Sequence, residues 1–207
     1  MGLTTLRIFN AVSALSGGGA ERQLMYLAPE LVRMGNKVDV AYLYDGPSGS
    51  PHLLTQNGIS LHKLSTGNNY NPSLIWDLVK LIRLLKPNIV QTWSIQMDVL
   101  AGFAARITNT PFILREPNCS DCYNSSWKYK IRLFSGSRSD AIVSNSGGGD
   151  DYWKQHVPQN KRYIIHNGLP IERVMQASLL SPLLRFACRS GAISQNDRAF
   201  QACGSGI

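Results

Sequence analysis

The 207-residue sequence lacks the features that mark several simple protein classes. No apolar run reaches the ~18–20 residues that a membrane-spanning helix needs. The N-terminus, MGLTTLRIFNAV, has one basic residue followed by a strand-like run, which does not match a secretory signal peptide. Only 4 cysteines are present, too few for a disulfide scaffold. We therefore expect a cytoplasmic chain with free thiols and a packed core.

Several catalytic and metal-binding motifs are also absent. No G-x-S-x-G nucleophile elbow occurs, and no Lys-Ser/Thr pair follows the N-terminal glycine cluster as a Walker loop requires. The four histidines form no H-x-x-x-H pattern. Cys119 and Cys122 have metal-ligand spacing, but a zinc site needs two further ligands. Only Cys188 and Cys203 remain, in an irregular tail, so we predict no metal.

The charge balance favours acidic partners. The chain has 21 Lys and Arg against 13 Asp and Glu, a formal charge of +8. Phosphorylated small molecules, anionic lipids and nucleic acid all fit such an excess. The bases are scattered apart from Lys128, Lys130 and Arg132, so we predict no nucleic-acid partner, although a nucleic-acid or membrane-surface binder stays open as a third hypothesis. The segment WKYKIRLF at 127–134 reads as a helix that either contacts an anionic membrane at its inner face or is simply solvated.

Short apolar, β-branched runs alternate with segments of helical period. This alternation predicts an α/β fold, a doubly wound, mostly parallel Rossmann-like sheet in one domain over residues 1–170. Residues 171–207 show no such alternation and are interpreted as a linker remnant or irregular tail. The predicted strands are 6–12, 37–43, 60–64, 88–92, 112–115, 141–144 and 162–166.

Four apolar stripes predict the main helices. The first contains Pro29, which predicts a kink or a restarted helix, and Gly35 is expected to end it. The stripes are Leu24, Leu27, Leu31 and Met34; Ile75, Leu78, Leu81, Ile82 and Leu85; Leu100, Phe103, Ala104 and Ile107; and, more weakly, Ile131, Leu133 and Phe134.

The glycine cluster after the first strand is the strongest local signal. Gly17, Gly18 and Gly19 let backbone amides approach a ligand, and the following helix N-terminus adds positive potential, which suits a diphosphate. The alternative is a surface loop without a ligand.

The loops after two later strands offer further ligand-binding side chains. Trp93 provides an apolar platform and Gln96 a donor–acceptor pair, a combination suited to a sugar ring. Asp98 is interpreted as either a catalytic group or the N-cap of the next helix. Arg115 and Glu116, adjacent at a strand end, either hold a polar substrate or form a rim ion pair.

These segments together resemble glycosyltransferase family 4, whose fold is called GT-B. The order and spacing agree over residues 6–170. The matching segments are GGGAERQL at 17–24, MGNKVDV at 34–40, KPNIVQTW at 86–93, PFILREP at 111–117, DAIVSNS at 140–146 and YIIHNGLP at 163–170.

The resemblance implies retaining transfer of a sugar from a nucleotide-sugar donor to an acceptor hydroxyl on a polysaccharide or glycolipid precursor, without metal or other cofactor. It implies that Gly17, Gly18 and Gly19 contact the donor phosphates. By the same analogy Trp93, Gln96, Arg115 and Glu116 line the acceptor side.

Two departures from the family pattern leave the enzymatic status open. Relatives with a similar tryptophan loop often carry His where this chain has Gln96, and Gln cannot take up a proton at neutral pH. No segment of 171–207 resembles the second Rossmann-like domain, so we expect a truncated chain that is inactive alone. The alternative is a non-catalytic sugar- or nucleotide-binding module that pairs with a separate C-terminal half.

Overall fold

A computed structural model describes residues 5–45, 50–64, 71–118, 123 and 126–168. Up to Asn167 these lie in one compact unit, Met1–Asn167. The predicted tail at 171–207 and all four cysteines fall outside the described residues, so the domain limit at 170 stays a prediction.

The described strands form a seven-stranded sheet, and every pair is parallel. The order is β3-β2-β1-β4-β5-β6-β7, so the chain runs from β1 to one edge, returns beside β1 and continues to the other edge. This doubly wound topology confirms the predicted fold. Its switch point lies between β1 and β4. The strands are β1 Arg7–Leu15, β2 Lys37–Asp45, β3 Ser60–Lys63, β4 Ile89–Thr92, β5 Phe112–Glu116, β6 Ala141–Ser144 and β7 Arg162–Ile164.

Six α-helices connect these strands within the described residues. Four coincide with the predicted stripes, whereas α2 and α6, of 7 residues each, are too short to show a clear period. The helices are α1 Gly19–Arg33, α2 Ser50–Gln56, α3 Ser73–Leu85, α4 Ile95–Ile107, α5 Trp127–Gly136 and α6 Gly147–Trp153.

The sheet buries apolar side chains on both faces, as parallel sheets do. On one face Leu24 and Ala28 of α1 pack with Leu54 of α2 against β1 and β2. On the other, residues of α3, α4 and α6 pack against the central strands, with Phe9 and Trp153 fully buried. No helix among the described residues is long and apolar enough to span a membrane.

Helix α1 passes through Pro29 without a break, so the predicted restart is wrong. It ends as predicted at Gly35, whose φ of 88° lies in the left-handed region that favours glycine. Leu24, Ala28 and Leu31 form its inner face, whereas Leu27 and Met34 are exposed.

Helices α4 and α5 bury mainly small or polar residues, with Met97 of α4 as the large apolar exception. α4 buries Ala101, Gly102 and Ala105, while Ile107 is exposed. A Cβ on Gly102 would lie 2.3 Å from Oγ of Ser135, so glycine is what allows α5 to pack so closely.

Helix α5 shows this inward placement of small and polar residues more clearly than α4. This helix buries Arg132, Ser135 and Gly136, whereas Ile131 and Phe134 of the predicted stripe are exposed. The stripes therefore predicted both helices correctly, but only part of each faces inward: Leu100 and Leu133 pack against the core, whereas Ile107, Ile131 and Phe134 are exposed.

Candidate functional site

The carboxyl ends of β1 and β4 meet at the switch point and are joined by hydrogen bonds. The N–H of Trp93 donates to the carbonyl of Ala11 at 2.9 Å. The hydroxyl groups of Ser13 and Ser94 lie 2.6 Å apart, and the N–H of Ser13 donates to Oγ of Ser94 at 3.1 Å. In open parallel sheets, ligands bind in the crevice beyond this point.

The glycine cluster at 17–19, which we call the glycine turn, connects the end of β1 to α1 at this edge of the sheet. Gly17 has φ of 93°, a conformation that other residues adopt only with strain. Gly18 is extended and precedes α1, and Gly19 is the first residue of that helix. A Cβ on Gly19 would meet no heavy atom within 4 Å, so the turn is open to approach there.

The carboxylate of Glu21 already occupies part of the turn. Its Oε2 accepts hydrogen bonds from the N–H of Ser16 at 3.0 Å, the hydroxyl of Ser16 at 2.8 Å and the N–H of Gly18 at 2.8 Å. The chain thus supplies its own anion to these donors, and an external phosphate would approach at Gly19. Donor-phosphate binding by Gly17, Gly18 and Gly19 stays a prediction.

Trp93 follows the end of β4, is almost fully buried and belongs to the core cluster that contains Val12 and Leu24. Its Nε1 donates to Oδ1 of Asn10 at 2.9 Å, which fixes the orientation of the indole. The guanidinium carbon of Arg115 stands 4.7 Å from the centre of the ring, in a cation–π arrangement. The structure therefore brings Trp93 and Arg115 together, and their contact with an acceptor stays a prediction.

Two buried donors beside Trp93 have no hydrogen-bond acceptor. Nδ2 of Asn10 and Nη1 of Arg115 are both unpartnered, although Arg115 also donates through Nη2 to Asn167. Burial lowers the pKa of Arg115, against the opposing charge of Glu116. Because leaving buried donors unpaired is costly, the pair points to a ligand or water that supplies oxygen atoms.

The other two predicted acceptor residues are Gln96, whose contact with an acceptor stays a prediction, and Glu116. Gln96 is half-buried in the first turn of α4. Glu116 is fully buried, and alternation along β5 directs it away from the side of the sheet that carries Arg115. Its carboxylate accepts from Nε1 of Trp153 at 3.0 Å and from the N–H of Asn118 at 2.9 Å. These contacts give Glu116 a structural role, and its contact with an acceptor stays a prediction.

Glu116 belongs to a buried charge cluster that sequence reasoning missed. Arg132 of α5 lies 2.8 Å from Glu116 and 2.6 Å from Asp98, and all three side chains are buried. Burial raises the pKa of Asp98 to about 6, although Arg132 and the hydroxyl of Thr92 favour its charged form. Two carboxylates share one cation here, which also opposes ionisation of both.

The start of α4 decides one of the two interpretations of Asp98, and the catalytic one stays a prediction. Ser94 is the N-cap of α4, and Asp98 lies within the helix, so the N-cap interpretation is wrong. The signal that sequence reasoning overlooked is Arg132 itself, a charged residue on the side of α5 opposite to Phe134. Within the described ranges no group of three or more His, Cys, Asp or Glu side chains is placed to hold a metal.

Comparison with known proteins gives a consistent result. The model of glycosyltransferase family 4 matches residues 17–173. No curated protein matches. Among solved structures, the chain is similar to HepE of Anabaena in complex with UDP, with a TM-score of 0.66 and 19% identity over 81% of this chain and 45% of that one.

Two further structures have the same fold. A glycosyltransferase from Rickettsia africae matches with a TM-score of 0.62 and 21% identity, over 94% of this chain and 51% of that one. A UDP-N-acetylglucosamine 2-epimerase matches with a TM-score of 0.61 and 14% identity, over 79% and 49%. The chain thus spans about half the length of the structures it matches. It belongs to glycosyltransferase family 4, and its described part has the fold of the N-terminal half of a GT-B enzyme.

Proposed function

We propose that this chain is the acceptor-side half of a glycosyltransferase that transfers a sugar, with retention of configuration, from a nucleotide-sugar donor to a hydroxyl of a polysaccharide or glycolipid precursor. The observation that carries the proposal is the arrangement around Trp93. An indole at the switch point is flanked by two buried donors without an acceptor, Asn10 Nδ2 and Arg115 Nη1. A saccharide supplies acceptor oxygens for both donors.

The glycine turn is proposed to face the donor diphosphate. The departing nucleotide carries the charge that develops in the transition state, and pre-oriented amides stabilise such charge without metal. The open approach at Gly19 and the positive end of α1 support this assignment. The UDP bound by HepE supports a nucleotide-linked donor.

A second candidate is a non-catalytic module that binds a sugar or nucleotide and pairs with a C-terminal half. The observation that favours it is the carboxylate of Glu21, which already occupies hydrogen-bond donors of the glycine turn. In both versions we propose that the 207 residues do not transfer sugar alone, because in GT-B enzymes the donor-binding groups come mainly from the second domain.

Reconstitution separates these possibilities. The purified chain is assayed for transfer from UDP- and GDP-sugars to lipid-linked saccharides, alone and mixed with the C-terminal half of a family 4 relative. We expect no turnover by the chain alone and turnover by the mixture, with the anomeric configuration of the product read by NMR.

Four outcomes would count against the proposal. Robust transfer by the chain alone would overturn the proposal that the 207 residues are inactive alone. An inverted product would overturn retention. Two halves that co-purify without transferring sugar would favour the non-catalytic module. Turnover unchanged in the Gly19→Val variant would remove the role of the glycine turn, since this substitution fills the open approach.

A further inference from the structure

Among the described residues, Arg115 is a buried arginine that differs from the other two in its charge environment. Arg132 lies 2.6 Å from a carboxylate oxygen of Asp98, and Arg162 lies 2.6 Å from one of Asp150. Arg115 is equally buried, with 7% of its surface exposed, yet no carboxylate of the described residues lies within ion-pair distance of it. A buried cation without a counter-ion is costly, so this guanidinium calls for an explanation.

The carboxylate that follows Arg115 in the sequence does not neutralise it by contact. Glu116 lies 2.8 Å from Arg132 and accepts hydrogen bonds from Trp153 and Tyr123, on the opposite side of β5. Burial lowers the pKa of Arg115, and the charge of Glu116 opposes that shift only in part. The positive charge of Arg115 is therefore left for a group that the described part of the chain does not supply.

The contacts of Arg115 hold its guanidinium in place and leave Nη1 without an acceptor. Nη2 donates to Oδ1 of Asn167, and the guanidinium carbon lies 4.7 Å from the centre of the Trp93 ring. Nη1 is buried and has no hydrogen-bond partner. The side chain is thus fixed on two sides, and a charged N–H group remains for an oxygen atom of a ligand.

A neutral donor lies against the same indole. Oδ1 of Asn10 accepts from Nε1 of Trp93 at 2.9 Å, so the amide nitrogen Nδ2 is oriented as a donor, and it too is buried without an acceptor. Because both side chains contact one ring, the charged donor and the neutral donor belong to one site. A ligand that satisfies both carries an anionic oxygen and an uncharged one.

The glycine turn differs from Arg115 in this respect. There the chain itself supplies an anion, because the carboxylate of Glu21 accepts from the N–H groups of Ser16 and Gly18. At Arg115 the described residues supply none. The need for an external negative charge is therefore stronger beside Trp93 than at the turn.

The number of charges and donors favours a carboxylate over a phosphate. Arg115 carries one positive charge, and one of its η nitrogens already donates to Asn167. A carboxylate carries one negative charge on two oxygens, whereas a phosphate monoester carries about 1.5 to 2 negative charges and three acceptor oxygens at neutral pH. The unpartnered Nη1 matches the smaller charge.

We propose that the acceptor is an acidic saccharide, whose carboxylate pairs with Arg115 while an uncharged oxygen of the same sugar accepts from Nδ2 of Asn10. The inference rests on the proposed function, because it names the class of saccharide held beside Trp93. It makes Arg115 a specificity-determining residue. A carboxylate gains a charge-assisted hydrogen bond there, whereas a neutral sugar leaves the guanidinium buried without an anion.

Equilibrium binding to the full 207-residue chain, followed by ligand-observed NMR, tests the proposal without any sugar transfer. The probes are p-nitrophenyl β-D-glucuronide and p-nitrophenyl β-D-glucoside, which differ only in a carboxylate that replaces a hydroxymethyl group. The corresponding galacturonide and galactoside repeat the comparison with another ring configuration. We expect each acidic probe to bind at least about tenfold more tightly than its neutral partner, and this advantage to shrink as salt is added.

Variants at Arg115 separate the role of its charge from a structural role. Arg115→Gln is expected to weaken binding of the acidic probe at least about tenfold and to leave the neutral probe nearly unchanged. Arg115→Lys keeps the charge and is expected to keep part of the preference, which a loss of packing alone would not restore. Arg106→Gln removes the same charge from the exposed side of α4 and is expected to keep the full preference. Circular dichroism checks that each variant is folded, and the comparison of probes on the native chain does not depend on the variants.

Several outcomes would overturn the acidic acceptor. Equal affinity for the acidic and neutral probes, or an unchanged preference in Arg115→Gln, would do so and leave the proposed transfer of a sugar intact. Tighter binding of glucose phosphate than of glucuronate would assign a phosphate to Arg115 instead. Displacement of the glucuronide by UDP, with weaker UDP binding in Arg115→Gln, would assign Arg115 to the donor. Binding of no saccharide would also overturn it, whereas the proposed function is decided separately by reconstitution.

Discussion

Arg132 and Asp98 form an ion pair that water does not reach: Nε lies 2.6 Å from Oδ2, and both side chains are buried. Glu116 approaches the same guanidinium at 2.8 Å. Through these contacts α5 is held to α4 and to the end of β5.

Arg132→Met is therefore expected to destabilise the fold strongly. The substitution preserves much of the volume but leaves two buried carboxylates without a cation, which costs about 3–5 kcal/mol. Urea unfolding measures the free energy. Arg33→Met removes an exposed ion pair with Glu30 and is expected to cost less than about 1 kcal/mol. Equal losses in the two variants would contradict this interpretation.

The same cluster predicts a pH dependence. The pKa of Asp98 is about 6 in the folded protein against an ordinary 3.8, so folding favours its protonated form. The stabilisation from that proton is complete below about pH 4 and is lost as the pH rises through about 6, a loss of about 3 kcal/mol. Urea unfolding between these values is expected to show a smaller decline in Asp98→Asn than in the native chain. Equal declines would refute the assignment.

Glu21 is expected to stabilise the glycine turn. Glu21→Ala removes the acceptor for the N–H groups of Ser16 and Gly18 and for the hydroxyl of Ser16, and should cost about 1–2 kcal/mol. Glu30→Ala, in the same helix but exposed, should cost no more than about 0.5 kcal/mol. Thermal unfolding of both variants compares them directly.

Substitution by alanine is expected to have different effects on stability at Gly17 and at Gly19. Gly17→Ala forces a Cβ onto a backbone with φ of 93° and should cost about 1–2 kcal/mol. Gly19→Ala meets no atom within 4 Å and replaces glycine by a better helix former, so it should be neutral or stabilising by up to about 1 kcal/mol. A loss in Gly19→Ala as large as that in Gly17→Ala would mean that the open approach is absent.

Arg115 is expected to act on the acceptor rather than on the donor. In the reconstituted enzyme, Arg115→Gln should raise KM for the acceptor at least about tenfold and leave KM for the nucleotide-sugar nearly unchanged, because the unpartnered Nη1 lies beside Trp93. Arg106→Gln, on the exposed side of α4, is the control. A rise in KM for the donor instead would place Arg115 on the other substrate.

The strands could be predicted because both faces of a parallel sheet are buried, which gives apolar runs such as VAYLY at 40–44 of β2. The orientation of α4 and α5 could not be predicted in the same way. The sequence pattern identifies the large apolar residues but not whether they face the core or the solvent. The buried side of α4 consists mainly of small residues, and the buried side of α5 contains Arg132.

The candidate site also has one part that the sequence predicts and one part that it does not. Trp93 and Arg115 come together because adjacent parallel strands end at the same edge. Glu116 does not join them because consecutive residues of a strand point to opposite faces. The capping role of Glu21 can be predicted from the sequence, since a glutamate three residues after an N-cap is a known pattern. The glycine cluster by itself predicts only a site for an external anion.

The hydroxyl contact between Ser13 and Ser94, at 2.6 Å, joins the two strands at which the winding of the sheet reverses. A hydrogen bond from the backbone of Trp93 to Ala11 reinforces it two residues below. The two strands are thus tied to each other at the base of the crevice, so the loops above it can differ without changing the relation of β1 to β4. Differences in the size of the accepted saccharide among relatives should accordingly follow loop length rather than changes in these strands.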